Sequence, residues 1–267
     1  MKCDICPHNC SIPENRYGFC GARKNAGGVI VCDNYGKITS LALDPIEKKP
    51  LYHFLAGSKI LSVGSYGCNM KCGFCQNYTI SQNKPSYEYV SPERLLEIAI
   101  NTPDNVGVAF TYNEPTISFE YVLDCAKLLK EAGLKVVLVS NGQINPSPLA
   151  ELAPLVDAWN IDVKAWNADF YSRHGGDFET VKRIVEVASR TAHVEVTTLV
   201  IPNENDGGGE IAALAEWLAA ISPEIPYHLS RYFPRYKYEA PQTPKETLFR
   251  LAEIAKRYLR YVYVGNV

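Results

Sequence analysis

The chain has 267 residues, 46% of them hydrophobic, with 27 Lys and Arg against 29 Asp and Glu for a formal charge of −2. That length allows one sizeable core, alone or with an appendage. The scattered basic residues, in no run longer than a pair such as Lys48–Lys49, exclude the dense basic face of a nucleic-acid binder, and no apolar stretch approaches the ~20 residues of a membrane helix.

In chain order, residues 1–57 read as a loop-rich, cysteine-bearing N-terminal extension. A hairpin is expected there, pairing Val29–Asp33 with Ile38–Leu43 across a turn at Asn34–Gly36. From residue 58 the texture changes to alternating strands and helices. Strands are predicted at 60–65, 106–111, 134–140, 157–163, 193–201, 227–232 and 261–265. Helices are predicted at 91–101, 116–132, 148–153, 168–174, 178–191, 210–221 and 244–258. Ser91 is placed to cap the first helix, with Pro92 at its first position, and Gly133 to end the second. This alternation predicts an α/β fold, a partial (β/α)6 barrel over 58–267, with its site at the C-terminal ends of the strands.

Eight of the nine cysteines fall in the first 75 residues. Met1–Lys2 leads into Cys3 with no secretory leader, so metal ligation in a reducing cytoplasm is expected rather than disulfides. Directly after the first barrel strand comes Cys68-x3-Cys72-x2-Cys75. Three thiolates this close can ligate three irons of a [4Fe–4S] cube and leave the fourth iron open. Cys3, Cys6, Cys10 and Cys20, with His8 among them, form a second ligand set, suited to zinc or to another iron–sulfur cluster. Cys125 reads as core.

The C-x3-C-x2-C spacing with Phe74 before its last cysteine resembles the signature of the radical S-adenosylmethionine (SAM) enzymes. That resemblance implies an oxidoreductase whose [4Fe–4S] cluster cleaves SAM reductively to methionine and a 5′-deoxyadenosyl radical. It also implies an electron donor of the flavodoxin or ferredoxin type. Glu114 stands where such enzymes carry Gly-Gly-Glu for the methionyl ammonium, with Tyr112 and Asn113 in place of the glycines. Ser140-Asn141-Gly142 and Asp162-Val163-Lys164 resemble strand ends of glycyl-radical activating enzymes. Asp162 and Lys164 share one strand face, able to reach a ligand or to pair with each other. Two departures stand out: Val139 where those enzymes tend to have Asp, and Thr197 near their Arg. The group around Arg231 and Tyr232 is read as an adenine or peptide contact, or as a lid.

Cys-x-x-Cys-Pro-His, Gly-Phe-Cys-Gly-Ala-Arg, the run Asp44–Phe54, and Cys75-Gln76-Asn77 with Ile80-Ser81-Gln82 together resemble one branch, the radical enzyme of the AmmeMemoRadiSam system. It is similar to pyruvate formate-lyase activating enzymes, and its members often continue into a further cysteine-bearing tail. A protein substrate activated by glycyl-radical formation is the leading expectation. Small-molecule chemistry or net cleavage of SAM is the alternative. A non-catalytic iron–sulfur or zinc protein, serving as scaffold or electron carrier, is the reading from another class.

Overall fold

The computed structural model describes residues 1–267. Its centre is an eight-stranded sheet built from β1 (Ser40–Pro45), β2 (Lys59–Gly64), β3 (Asn105–Phe110), β4 (Lys135–Ser140), β5 (Ala158–Asp162), β6 (His193–Val200), β7 (Tyr227–Arg231) and β8 (Val262–Gly265). The spatial order is β8-β7-β6-β5-β4-β3-β2-β1. Strands β2 to β8 run parallel in sequence order, with pairs such as Val108↔Val136 and Leu138↔Trp159. β1 lies antiparallel on the β2 edge, with Leu43 opposite Leu61.

Between consecutive parallel strands lie α1 (Pro92–Asn101), α2 (Phe119–Glu131), α3 (Pro146–Leu152), α4 (Ala168–Arg173) with α5 (Phe178–Ala188), α6 (Gly208–Ile221) and α7 (Lys245–Ala255). The α/β partial barrel of six β/α units is therefore present, with a seventh parallel strand. Ser91 Oγ accepts from Arg94 N–H and starts α1 as expected.

Alternation along the strands sorts side chains between two faces. Val108, Val136, Leu138, Trp159, Ile161 and Val196 face outward into a large apolar core shared with the helices. Ile60, Ala109, Val137 and Ala158 form a separate small cluster with Ile46 and Leu51. The last two belong to a strap, residues 46–57, that crosses the N-terminal end of the barrel from β1 toward β8. Tyr52 packs on Tyr263 with ring centroids 4.9 Å apart, and His53 on Tyr261 at 4.2 Å. Residues 40–57, expected in the extension, are thus woven into the barrel.

The expected hairpin is not formed. Arg23–Ala26 pairs instead with Val29–Cys32. Gly27 and Gly28, at φ +62° and +80°, supply the two left-handed residues that a tight two-residue turn requires. Beyond it, Lys37–Ile38 pairs with Glu88–Tyr89, and Ser40–Pro45 joins β2. No helix is long and apolar enough to cross a membrane.

Candidate active site

The loop after β2 carries Cys68, Cys72 and Cys75. Gly67 opens it at φ +87°, and a Cβ there would lie 2.7 Å from the Cys20 carbonyl, so only glycine fits. The loop is fixed from several sides. Gly67 N–H donates to Ile80 O at 2.9 Å, and Lys71 N–H to His174 O at 2.8 Å. Asn69 Nδ2 donates to Gln143 O at 2.7 Å. Lys237 N–H reaches Gly73 O at 2.9 Å, and the Tyr78 and Tyr236 rings stack at 4.6 Å. Phe74 is buried between Phe170, His174 and Tyr238. The loop around residues 232–238 is therefore a cover packed on the cysteine loop.

All three thiols line one cavity of about 300 Å³ at the C-terminal ends of the strands, with Glu114, Asp162 and Lys164 on the same walls. Phe74, Asn113, Asn141, Val139 and Thr197 also border it. Burial pushes the Cys72 thiol up to about 11, while the Lys164 ammonium pulls it down. Burial also holds the Cys68 thiol well above its ordinary value. Thiols in such a setting lose their protons on binding a metal, and the ion supplies the compensating charge. Backbone and amide N–H groups already point at sulfur: Met70 N–H and Asn141 Nδ2 lie 3.4 and 3.5 Å from Cys68 Sγ.

Glu114 ends the segment after β3. Its Oε1 accepts from Thr116 N–H at 3.0 Å, Thr116 Oγ at 2.8 Å and Ser140 Oγ at 2.8 Å. Its Oε2 accepts from Asn141 N–H at 2.8 Å. Burial raises its carboxyl, and these four bonds act in the opposite direction by favouring the anion. One lone pair on Oε2 remains for a further donor. Asn113 is differently employed. Its Oδ1 accepts from Ser65 N–H at 2.9 Å and its Nδ2 donates to Gly67 O at 3.1 Å, stapling the cysteine loop. Ser140 lies beneath Glu114 and off the cavity wall.

Asp162 and Lys164 are joined at 3.1 Å. Burial disfavours the Lys164 charge, but Asp162 and Cys72 outweigh it and raise its pKa above the ordinary value. Arg231 and Tyr232 do not reach the cavity. Tyr232 is buried with its hydroxyl on Tyr238 O at 3.1 Å, and Arg231 Nε donates to Thr243 O at 2.8 Å. Ser230 and Asn266, which the sequence reading passed over, line the cavity in their place. Period-two alternation from His228 places Ser230 on the inner face, which was the available signal.

Tyr112 is also unforeseen as a structural element. It holds φ +71°, a left-handed conformation rare for a bulky residue. Its hydroxyl donates to Asp44 Oδ2 at 2.8 Å, and the Lys49 ammonium lies 4.8 Å from its ring centre. Burial works to raise the Asp44 carboxyl, but Lys49, Lys48 and Tyr112 hold it well below the usual carboxylate range.

Residues 62–218 match the radical SAM superfamily. An uncharacterised protein of Methanocaldococcus jannaschii is 41% identical over 277 residues, covering 100% of this chain and 81% of its own. A second protein of that organism, provisionally named a glycyl-radical enzyme activating enzyme, is 28% identical, covering 74% of this chain and 77% of its own. Among solved structures, a domain of a pyruvate-formate lyase-activating enzyme from Bacteroides vulgatus aligns with TM-score 0.53 and 18% identity, over 60% of this chain and 99% of its own. The chain belongs to the radical SAM superfamily, whose members use a [4Fe–4S] cluster and SAM. The donor set fits that cofactor: three thiols without a fourth, a cavity beside them, and polar groups of both signs on its walls.

Proposed function

We propose that Cys68, Cys72 and Cys75 hold the cluster, that the same cavity takes SAM, and that the chain is the radical enzyme of the AmmeMemoRadiSam branch. The observation that carries this reading is the meeting of the three thiols, Glu114 and the Asp162–Lys164 pair on one wall system at the strand ends. When bound, the cluster and SAM supply a 5′-deoxyadenosyl radical that takes a hydrogen atom from substrate. The free lone pair of Glu114 Oε2 would accept the methionyl ammonium. Asp162 suits a ribose hydroxyl and Lys164 a carboxylate. Asn113, Asn141 and Phe74 hold the cysteine loop in place, while the cover around 232–238 shields it from water. An electron donor of the flavodoxin or ferredoxin type and a reducing cytoplasm belong to the same reading.

For the substrate we favour a polypeptide and glycyl-radical formation, in which a hydrogen atom leaves a glycine Cα and 5′-deoxyadenosine forms. The similarity to a relative so named supports it. So does the strap, which blocks the N-terminal end of the barrel and leaves access from the strand ends. Exposed Phe233 and Tyr236, with Arg231 5.0 Å from the Phe233 ring centre, offer an amphipathic grip at that mouth. Val139 and Thr197 on the cavity wall favour the second reading, chemistry on a small molecule or net cleavage of SAM. Electron paramagnetic resonance on the reduced enzyme mixed with fractionated extract of its own cells separates the two. A glycyl doublet on a partner, dependent on Cys72, is expected. Steady 5′-deoxyadenosine production with no partner radical and no response to added protein would establish the second reading instead.

A further inference from the structure

Residues 1–22 fold as two loops that carry four cysteines onto one another. The Cys3 N–H donates to Cys10 O at 2.9 Å, and a bridge between Lys2 and Ser11 closes the first loop outside it. The Gly18 N–H to Arg23 O bond, 2.8 Å, turns the second loop and presents Cys20. Phe19 N–H then points at Cys10 Sγ, 3.5 Å away. Cys3, Cys6 and Cys20 are buried and Cys10 half-buried, and none is in a disulfide. Three buried thiols and a half-buried one on two adjoining loops, none of them in a disulfide, make up the four-cysteine ligand set of a closed metal centre.

The neighbouring candidates are otherwise engaged. His8 places Nε2 at 2.9 Å from Asn69 O and stacks on Phe19 with ring centroids 4.0 Å apart. Cys32 donates its thiol to Asn34 Oδ1 at 3.1 Å. The set thus reduces to four cysteines. Nowhere in the molecule are three His, Cys, Asp or Glu side chains at the spacing of a single shared ion. The same holds for Cys68, Cys72 and Cys75. Around an iron–sulfur cube each thiolate binds its own iron, so the sulfurs stand further apart than around one zinc.

We propose that Cys3, Cys6, Cys10 and Cys20 ligate a second, fully coordinated iron–sulfur cluster of the [4Fe–4S] type. Its ligand shell adjoins the active-site loop, since Cys20 O accepts from Cys68 N–H at 3.2 Å. A fourth thiolate closes the position that the triad leaves open, so this centre has no site for SAM.

The test uses the full chain with Cys68, Cys72 and Cys75 all changed to Ser, purified and reconstituted without oxygen with iron and sulfide. About four irons per chain and the visible absorption of a cluster are expected to remain. Adding Cys6→Ser and Cys20→Ser should remove both signals, with the far-ultraviolet circular dichroism showing that the chain is folded. In wild-type protein, about eight irons per chain should fall to about four in the Cys6→Ser, Cys20→Ser variant. One zinc per chain in the triad variant, displacing iron, would overturn the iron–sulfur assignment. No metal at all would overturn the site. Either result leaves the reading of the triad intact, because wild-type protein would still carry about four irons.

Discussion

Tyr112 shows how a single residue couples two distant motifs. Its left-handed backbone costs on the order of 1–3 kcal/mol and persists because its side chain is fastened to Asp44 and stacked against Lys49. Glycine in the corresponding Gly-Gly-Glu motif would need no such fastening. The run from Asp44 to Phe54 and the Tyr112 substitution are thus two halves of one contact. Neither half reveals the other in the sequence, since 68 residues separate them. Tyr112→Phe removes a hydrogen bond to a charged acceptor, worth about 1.5–3 kcal/mol. Denaturant titration should show that loss in the midpoint, and an unchanged midpoint would dissolve the argument. Lys164→Gln leaves Asp162 without its partner in the cavity wall. SAM affinity, measured by calorimetry on reconstituted protein, should drop roughly tenfold or more, in line with losing a hydrogen bond to a charged group. A drop below threefold would reduce the pair to scaffolding. The cysteine triad stands out by its spacing and Glu114 by its resemblance to the Gly-Gly-Glu position, and the structure brings both to one cavity. The stapling role of Asn113 was not, because it depends on which carbonyls the loop brings near it.

At the scale of elements, the strap is the least expected part. The sequence shows a Pro- and Lys-containing loop, whereas the structure shows a plug whose Ile46 and Leu51 fill the barrel's interior. One charged anchor holds it. Glu195 on β6 is fully buried, and accepts from His228 Nε2 at 2.6 Å, His193 Nε2 at 2.9 Å and the His53 N–H of the strap at 2.7 Å. Burial alone would raise its carboxyl, but these partners bring it from 4.5 down to about 2. A carboxyl depressed on folding stabilises the protein above its unfolded value and loses that contribution as pH falls toward the folded one. The shift corresponds to roughly 3 kcal/mol. Glu195→Gln should therefore lower Tm at pH 7 by roughly 6–12 °C. The gap between variant and wild type should narrow to less than half by about pH 3. A gap independent of pH would show that packing, and not the ionised carboxylate, holds the strap. The hairpin error has a comparable origin. Two apolar runs around Asn34–Gly36 fit the pattern, but Gly27–Gly28 made the tighter turn and left the second run free to pair with β2.

For the molecule as a whole, strand–helix alternation made the barrel and its functional end readable, because parallel strands need crossover helices and each has its own periodicity. Closure was not readable. The two sheet edges, β1 and β8, are bridged by the strap at the N-terminal end of the barrel, and that contact joins residues some 210 apart. The architecture leaves the strand ends as the working face, where the thiols, the acid and the ion pair converge under a cover supplied from beyond β7. On the proposed function, this face cleaves SAM with a cluster held by Cys68, Cys72 and Cys75. The most direct test of that function is the quantity of 5′-deoxyadenosine formed when anaerobically reconstituted protein is given dithionite and SAM. Product is expected from the wild-type chain, and none above background from Cys68→Ala, Cys72→Ala or Cys75→Ala. Product at the wild-type rate from the triple variant would contradict it.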